Sequence, residues 1–293
     1  MGRIYDALRR SNIDPVAGTA APPAPPSWLF EQHEETVVEA ATRSAGGLIV
    51  AAPPGGPVAG DDGRLVVSGT AGPLLVEQFR SLAAKLHRAK RERPLKSLIV
   101  TSASPGDGKS HVAVNLALTL GVSYRRRVLL IDADVRRPSL HMLFGVRNTG
   151  GLGEALEVRA EAKLAAVKIN ETLTLLPAGR ANAGLLGDLS SDRMKHLVED
   201  AASRFDWVIV DTPPVGVLAD GRLISETVDV AILVVRAGVT RFADLEAAAA
   251  TLGPERVVGI VLNAVDPAEI RGKDYYHRYH GYYGYSGRES ANG

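Results

Sequence analysis

The chain has 293 residues, 45% of them hydrophobic, and its formal net charge at pH 7 is +1. This length suits one α/β domain of about 200 residues with extensions, and the near-neutral charge argues against a broad nucleic-acid or membrane footprint. The sequence has no cysteine, which excludes disulfides, cysteine-ligated zinc, iron–sulfur clusters and thiol catalysis.

The sequence shows neither a membrane span nor a secretory signal. No apolar run approaches the roughly 18 residues that a membrane-spanning helix needs. The N-terminus, MGRIYDALRRSN, lacks the apolar core of a secretory signal. We therefore expect a cytoplasmic protein.

The first part of the chain, residues 1–72, predicts little packed structure. Residues 1–12 have the pattern of a short amphipathic helix, although a frayed terminus would explain the same pattern equally well. Residues 13–72 are rich in Pro, Ala and Gly, a composition that buries too little apolar surface to fold. We predict that they form a linker, with one short strand at 47–52.

From residue 73 to residue 265, apolar runs alternate with helical patterns. The spacing of apolar residues predicts helices at 73–91, 109–121, 138–144, 190–203, 218–226 and 240–252. Continuous β-branched runs predict strands at 97–103, 127–134, 172–179, 207–211, 228–235 and 256–265. Such strands are typical of a sheet buried on both faces. The predicted fold class is α/β, a doubly wound and mostly parallel sheet with helices on both faces, over residues 73–268.

A phosphate-binding loop lies between the first predicted strand and the helix after it. Residues 103–110, ASPGDGKS, match GxxxxGK followed by Ser or Thr at every fixed position except the first, where Ala103 replaces Gly. In such a loop the backbone N–H groups and the helix N-terminus surround phosphate oxygens. The lysine, Lys109, reaches the β- and γ-phosphates, and the hydroxyl of Ser110 ligates Mg²⁺.

Three carboxylates stand at the ends of two other predicted strands. The run VLLIDAD ends with Asp132 and Asp134, and the run WVIVD ends with Asp211. In an open parallel sheet the carboxyl ends of strands near the switch point face the ligand. Carboxylates there hold Mg²⁺ or accept the proton of an attacking hydroxyl, whereas a lone strand-end Asp is commonly a helix cap. Three such acids beside a phosphate loop favour the functional interpretation.

The last segment, residues 269–293, is a tail crowded with tyrosine. It has no strand or helix periodicity, and we expect it to be flexible. Such a tail on a chain with a phosphate loop suggests a kinase that modifies itself, and the alternative is self-association or stacking on nucleic acid. The candidate phosphoacceptors are Tyr275, Tyr276, Tyr279, Tyr282, Tyr283 and Tyr285.

Together, the phosphate loop, VLLIDADVRRPSLH and WVIVDTPPVGVLAD resemble the bacterial tyrosine kinases of exopolysaccharide and capsule loci. The most specific mark is Arg136-Arg137-Pro138 after the two acids, followed by DTPP at 211–214. The resemblance implies the P-loop fold of the partitioning and septum-placing ATPases. It also extends to a PAG turn at 177–179 and to an apolar strand that closes on Asn263.

The resemblance implies a role for each matching residue. ATP and Mg²⁺ would be the cofactors, Asp132 would activate the tyrosine hydroxyl, and Lys109 would grip the phosphates. Asn263 would recognise the adenine edge. Ser110, Asp134 and Asp211 would serve the metal. The nucleotide-binding positions would be Ser104, Pro105, Gly106, Asp107, Gly108, Lys109, Ser110, His111 and Asn263.

The resemblance also implies partners. They are a membrane polysaccharide chain-length regulator that activates the kinase, other copies of the chain in a homo-oligomer, and a counteracting phosphatase, with no role for nucleic acid. The regulator would recruit the protein to the inner face of the membrane, with residues 1–12 as the candidate docking element. The family helix pattern E-x-x-R-x-x-R is matched by Glu77 and Arg80 but has Ala83 at its third position, so the oligomer size stays open.

Two other functions fit parts of the sequence. A switch ATPase of the partitioning or septum-placing class shares the fold, but those proteins usually carry a second lysine where this chain has Ser104, and they lack a tyrosine tail. An inactive scaffold would need neither Lys109 nor the acids, all of which are present. Cluster carriers of the same fold need cysteines. We therefore predict a protein-tyrosine kinase, with the switch ATPase as the alternative.

Overall fold

The computed structural model describes residues 65–66, 72–156, 166–180, 188–189, 191–217 and 219–265. The predicted helix at 1–12, the predicted strand at 47–52 and the tyrosine tail at 269–293 lie outside these ranges.

The described part of the chain is organised around a seven-stranded sheet. Its strands are β1 (Ser97–Ser102), β2 (Val128–Asp132), β3 (Val167–Lys168), β4 (Leu173–Leu176), β5 (Trp207–Asp211), β6 (Val230–Arg236) and β7 (Val257–Asn263). Their order across the sheet is β3-β4-β2-β5-β1-β6-β7. All neighbouring pairs are parallel except β3 and β4, which are antiparallel. Strand β1 therefore lies near the middle, between β5 and β6.

The helices of the described part cover both faces of the sheet. They are α1 (Pro73–Glu92), α2 (Lys109–Val122), α3 (Leu140–Leu143), α4 (Leu152–Leu156), α5 (Asp192–Arg204), α6 (Ala219–Ser225) and α7 (Phe242–Leu252). Helices α1 and α2 pack into the core on one face, and α4 to α7 pack into the core on the other. The doubly wound α/β fold predicted from the sequence is confirmed.

Helix α2 is the most deeply buried helix among those described. Every residue from Val112 to Gly121 is buried, because α2 lies between the sheet and α1. The run VAVNLALTLG has no polar face that could be exposed to water. A helix of this composition is stable when it is buried between two apolar layers. The helix that begins at the phosphate loop is thus fixed firmly in the core.

The predicted elements agree with the observed ones to within about three residues at each end. The largest difference is at β4, which ends at Leu176. The carbonyls of Pro177 and Ala178 instead accept hydrogen bonds from the N–H groups of Leu152 and Gly153, at 2.8 and 2.9 Å. Helix α4 and strand β3 were not predicted, because elements of five and two residues are too short to show a period.

Two described residues of the predicted linker pack on the domain. Leu65 is 2% exposed and belongs to the core under α1 and α2. The N–H of Val66 donates a hydrogen bond to Oδ1 of Asn115 at 2.8 Å, and Nδ2 of Asn115 donates to the carbonyl of His111 at 3.0 Å. This short contact ties the linker to the helix that carries the phosphate loop.

None of the helices within the described ranges combines the length and the apolar character that a membrane span requires.

Candidate active site

The predicted site residues converge at the carboxyl ends of three adjacent strands. In the order β2-β5-β1, Asp132 ends β2, Asp211 ends β5 and the phosphate loop follows β1. Asp132 and Asp211 are register partners across neighbouring parallel strands, so their side chains are brought together by the sheet itself. This is the position at which open α/β sheets bind ligands.

The phosphate loop is held in shape by left-handed glycines and by its own polar groups. Gly106 and Gly108 have φ values of 85° and 93°, which residues with a side chain rarely adopt. The N–H of Ser104 donates to Oδ2 of Asp107 at 2.9 Å, and the Ser102 hydroxyl donates to the Ser104 carbonyl at 2.8 Å. Helix α2 begins at Lys109, so its positive end faces the loop, as in a phosphate cradle.

Lys109 is charged and points toward the three acids. Its Nζ lies 2.9 Å from Oδ2 of Asp134, and the two side chains are 16% and 6% exposed. Burial lowers the pKa of Lys109, but the carboxylates of Asp211, Asp134 and Asp132 together raise it above its usual value. The ammonium therefore stays protonated in the site and can stabilise phosphate charge.

Asp132 is fully buried and uses only one of its two oxygens. Its Oδ2 accepts hydrogen bonds from the N–H groups of Ser139 and Leu140, each at 3.0 Å. Oδ1 has no hydrogen-bond partner within the described structure. Burial raises the pKa of Asp132 to about 6. The backbone N–H groups of Leu140 and Ser139 oppose this shift, as does that of Asp134, which lies beside the carboxylate without good hydrogen-bond alignment. A carboxylate with one anchored oxygen and one unpartnered oxygen suits a proton acceptor at neutral pH.

Asp211 is also fully buried, and neither of its oxygens accepts a well-aligned hydrogen bond from a described residue. Burial raises the pKa of Asp211 to about 8. Lys109 lowers this pKa and the nearby Asp132 raises it, while the Ser110 hydroxyl lies beside the carboxylate without good hydrogen-bond alignment. A buried carboxylate without donors is costly, so a cation bound at this point would stabilise it.

The unpartnered oxygens fit a bound magnesium nucleotide. No three His, Asp or Glu side chains of the described ranges converge into a complete metal site. Mg²⁺ does not require one, because it typically takes one or two carboxylates, keeps waters and binds the phosphates of the nucleotide. The orphaned oxygens of Asp211, together with Ser110 at the start of α2, are the donors that such an ion needs. Asp134 is engaged with Lys109.

Asn263, the predicted adenine-binding residue, contacts the phosphate loop. Its Nδ2 donates to the carbonyl of Asp107 at 2.8 Å, and it packs so closely on Gly108 that an added Cβ there would collide with it. Glycine is thus required at 108 for space as well as for its φ angle. Recognition of the adenine edge stays a prediction.

The remaining predicted residues surround this centre. Pro105 and Gly106 are exposed, and Asp107 is buried. Arg136 and Arg137 are exposed, and the N–H of Arg137 donates to Oδ1 of Asp134 at 3.2 Å.

Residues that brace the phosphate loop from β6 were not predicted from the sequence. The Thr240 hydroxyl donates to Oδ1 of Asp107 at 2.7 Å, and Nη1 of Arg236 donates to the Gly106 carbonyl at 3.3 Å. A threonine and an arginine in a turn carry no periodic signal, and Thr240 is 133 residues from Asp107. Only the assembled sheet brings them together.

A family model described as ParA, NUBPL iron-transfer P-loop NTPase, matches residues 95–249. This match supports the P-loop fold. It does not extend to cluster transfer through cysteine ligands, since the chain has no cysteine.

Curated relatives are tyrosine kinases. The tyrosine-protein kinase YwqD of Bacillus subtilis (strain 168) is 34% identical over 203 residues, which cover 68% of this chain and 85% of that protein. The tyrosine-protein kinase wzc of Salmonella typhimurium is 31% identical over 215 residues, which cover 72% of this chain. The match spans only 30% of the length of wzc.

Solved kinase domains have the same fold. The kinase domain of Escherichia coli tyrosine kinase ETK superposes with a TM-score of 0.62 at 32% identity, covering 65% of this chain and 76% of that one. The BceF tyrosine kinase domain gives a TM-score of 0.58 at 31% identity, covering 66% and 78%. Because a curated tyrosine kinase is 34% identical over 85% of its own length and solved kinase domains share the fold, the chain belongs to the bacterial tyrosine-protein kinase family and is built on the P-loop NTPase fold.

Proposed function

We propose that this chain is an ATP-dependent protein-tyrosine kinase that phosphorylates the tyrosine cluster of its own tail. The observation that supports this most strongly is the state of Asp132, which has one oxygen anchored by two backbone N–H groups and one oxygen without a partner. Oδ1 can accept a proton from a phenol or from water, and the tyrosine-rich tail together with Ser104 in place of a second lysine favours the phenol. The acceptors are Tyr275, Tyr276, Tyr279, Tyr282, Tyr283 and Tyr285.

The proposed reaction moves one phosphoryl group and one proton. The phenol oxygen forms a new bond to the γ-phosphorus while the bond from that phosphorus to the β–γ bridging oxygen breaks, and ADP departs with the electron pair. Because a tyrosine phenol has a pKa near 10, its proton must leave during the attack. Oδ1 of Asp132 takes this proton, while the two backbone N–H groups at Oδ2 keep the carboxylate in place.

The other site residues bind and orient the nucleotide. The loop N–H groups and Lys109 hold the phosphates, and Asn263 faces the base. Ser110, Asp134 and Asp211 are the proposed metal ligands, direct or through water, and Mg²⁺ at this site would neutralise charge on the β- and γ-phosphates. The phosphates of ATP carry more negative charge than one carboxylate, so Lys109 would move from the Asp134 carboxylate to the phosphates. Asp134 would then be free to bind the metal.

We propose that the tail of one copy enters the site of a neighbouring copy. Each phosphate adds about −1.5 to −2 charges at pH 7. Several phosphates on one tail repel each other and weaken an assembly that is held by contacts between tail and site. Phosphorylation would then control the size of a homo-oligomer.

The cellular role that we propose is regulation of exopolysaccharide or capsule synthesis and export. The kinase would work in the cytoplasm, where a membrane polysaccharide chain-length regulator recruits and activates it at the inner face of the membrane. A phosphatase would reverse the modification. The relatives that match this chain are named tyrosine-protein kinases. The regulator and the phosphatase are proposed from the family resemblance alone.

One assay tests the proposed function against the switch ATPase. Purified protein is incubated with ATP and Mg²⁺, and both phosphotyrosine and ADP are measured for the wild type, for Lys109→Met and for a chain truncated before Tyr275. We expect phosphotyrosine in the wild type alone. ADP release without phosphotyrosine in the wild type would favour the switch ATPase, and neither product would favour an inactive scaffold.

A further inference from the structure

The phosphate loop receives hydrogen bonds from a turn that lies outside every nucleotide-binding motif. This turn, Arg236–Thr240, joins β6 to α7, and we call it the β6 bracket. It meets the loop at two points, through Arg236 at the Gly106 carbonyl and through Thr240 at the Asp107 carboxylate. The bracket closes on itself, since the Thr240 N–H donates to the Arg236 carbonyl at 3.0 Å.

Thr240 is the centre of this arrangement. Its hydroxyl accepts a hydrogen bond from the Arg236 N–H at 2.9 Å and donates one to Oδ1 of Asp107 at 2.7 Å. The other oxygen of Asp107, Oδ2, accepts from the Ser104 N–H at 2.9 Å. A continuous chain of hydrogen bonds therefore runs from the end of β6, through Thr240 and Asp107, to the beginning of the phosphate loop.

Asp107 needs this support. It is 2% exposed, and a buried carboxylate is costly unless hydrogen bonds compensate it. Its two oxygens accept hydrogen bonds from the Thr240 hydroxyl and the Ser104 N–H, so both are engaged within the protein. If Thr240 loses its hydroxyl, Oδ1 is left buried without a donor. We expect the side chain of Asp107 to turn toward another donor and the backbone of the loop to move with it.

We propose that Thr240 is a positioning residue for nucleotide binding, which sets the shape of the phosphate loop through the Asp107 carboxylate. In this proposal Thr240 acts through Asp107 and not by direct contact with the nucleotide. This proposal rests on the proposed function in one respect, since it assumes that ATP is the nucleotide that the loop binds. The loop presents its N–H groups in one arrangement before the nucleotide arrives, so the entropy of ordering the loop is not lost on binding.

The test compares variants that differ in one hydroxyl. Thr240→Val keeps the shape of the side chain and removes the hydroxyl, and Thr240→Ser keeps the hydroxyl. Thr251→Val is the matched control, because the Thr251 hydroxyl donates only to the Ala247 carbonyl within α7, at 2.8 Å. The Kd of a fluorescent, non-hydrolysable ATP analogue with Mg²⁺ is measured for the full chain, with the melting temperature recorded for each variant.

We expect Thr240→Val to raise Kd about tenfold, equal to about 1.4 kcal/mol. Thr240→Ser should stay within about twofold of the wild type, as should Thr251→Val. In phosphorylation assays, Thr240→Val should raise the KM for ATP by a similar factor with kcat unchanged, as expected for lost ground-state binding. If Thr240→Val does not fold, Thr240→Ala removes the same hydroxyl and carries the same expectation.

Asp107→Ala provides the second arm. If Thr240 acts through Asp107, the double variant Asp107→Ala/Thr240→Val should bind no more weakly than Asp107→Ala alone. The proposal is overturned if Thr240→Val binds with wild-type Kd, if Thr240→Ser is as weak as Thr240→Val, or if the two substitutions add fully. Because Kd is measured without phosphoryl transfer, a chain that binds ATP but forms no phosphotyrosine refutes the kinase and leaves this proposal intact.

Discussion

Two buried carboxylates, Asp132 and Asp211, face each other across neighbouring strands but have different surroundings. Asp132 receives two backbone N–H groups from the start of α3, whereas Asp211 receives none with good alignment. The pKa of Asp132 is raised to about 6 and that of Asp211 to about 8. At neutral pH, Asp132 is therefore mostly ionised and ready to accept a proton, while Asp211 holds its proton until a cation binds.

This difference predicts the pH dependence of phosphorylation. In the proposed mechanism both carboxylates must be ionised in the free enzyme, Asp211 to bind the metal and Asp132 to accept the phenol proton. As pH falls from 8 to 6, kcat/KM should fall about tenfold per pH unit, and below pH 6 about a hundredfold per unit. The measurement is the initial rate of phosphotyrosine formation from pH 5 to 9.

The profile of kcat at saturating ATP and Mg²⁺ is the internal control. With the metal bound, Asp211 is already ionised, so kcat should show only the step that belongs to Asp132. A kcat/KM that is flat between pH 5 and 8 would contradict the roles assigned to both acids.

The raised pKa of Asp211 also predicts that ionisation of this carboxylate lowers the unfolding free energy of the protein. Its pKa in the folded protein, about 8, lies above the ordinary value of 3.8. Between these two values the folded state binds more protons than the unfolded state, so the unfolding free energy falls as pH rises. Asp211→Asn cannot ionise and escapes this loss. Its melting temperature without nucleotide should match that of the wild type near pH 4 and exceed it by a few degrees at pH 8.

The control for this comparison is Glu246→Gln, which changes an exposed carboxylate on α7 and should leave the melting temperature nearly unchanged at every pH. A melting temperature for Asp211→Asn that stays below the wild type across the whole range would mean that the fold compensates the Asp211 charge well. That result would contradict a destabilising carboxylate at this position.

At the scale of elements, α2 connects the phosphate loop to the rest of the molecule. Its buried residues pack between the sheet and α1, and Oδ1 of its Asn115 accepts a hydrogen bond from the Val66 N–H. Leu65 fills the same side of the core at 2% exposure. A segment of Pro/Ala/Gly-rich sequence thus contributes to the packing of the helix that carries Lys109 and Ser110.

Removing the Leu65 side chain should therefore destabilise the domain. Leu65→Ala is expected to cost about 2 kcal/mol, the low end for a buried leucine, and to lower the melting temperature by about 4–8 °C. Thermal unfolding followed by circular dichroism checks this. Leu262→Ala on β7 is the control, since Leu262 is 60% exposed and its truncation should change little. Equal melting temperatures for the two variants would show that the Leu65 contact contributes nothing to stability.

Helix α1 carries the first two residues of the E-x-x-R-x-x-R pattern but not the third. Glu77 and Arg80 are partly exposed, with their charged groups 3.8 Å apart. Ala83, at the third position of the pattern, is fully buried against the core. An arginine with the same direction would meet the packed side chains of that core, so in this chain the third position serves packing. Glu77 and Arg80 remain available on the surface, and oligomer size stays a prediction.

Across the whole molecule, the sequence predicted the features that depend on periodic apolar patterns, which are the strands, the helices and the residues at their ends. The runs at β1, β2 and β5 are apolar and β-branched, so their positions and the meeting of Lys109 with the strand-end acids followed from parallel-sheet geometry. The two N–H donors to Asp132 did not, because they come from a turn that folds back only in the tertiary structure. The contact of Val66 with Asn115 and that of Thr240 with Asp107 join residues that are 49 and 133 positions apart, which local composition cannot reveal.

The molecule thus places a charged lysine, a phosphate loop and a buried carboxylate at one edge of its sheet, and the sequence of the tail has six tyrosines. We propose that the γ-phosphoryl group passes from ATP at this edge to those phenols with the help of Asp132.

The most direct test is transfer of label from γ-labelled ATP in the presence of Mg²⁺, with the labelled residues mapped by mass spectrometry. The wild type and Asp132→Asn are compared after binding of the nucleotide analogue has been shown to be equal. We predict label on tyrosines between 275 and 285 in the wild type and a loss of about 100-fold or more in rate for Asp132→Asn. Label elsewhere on the chain, or an equal rate in both proteins, would contradict the claim.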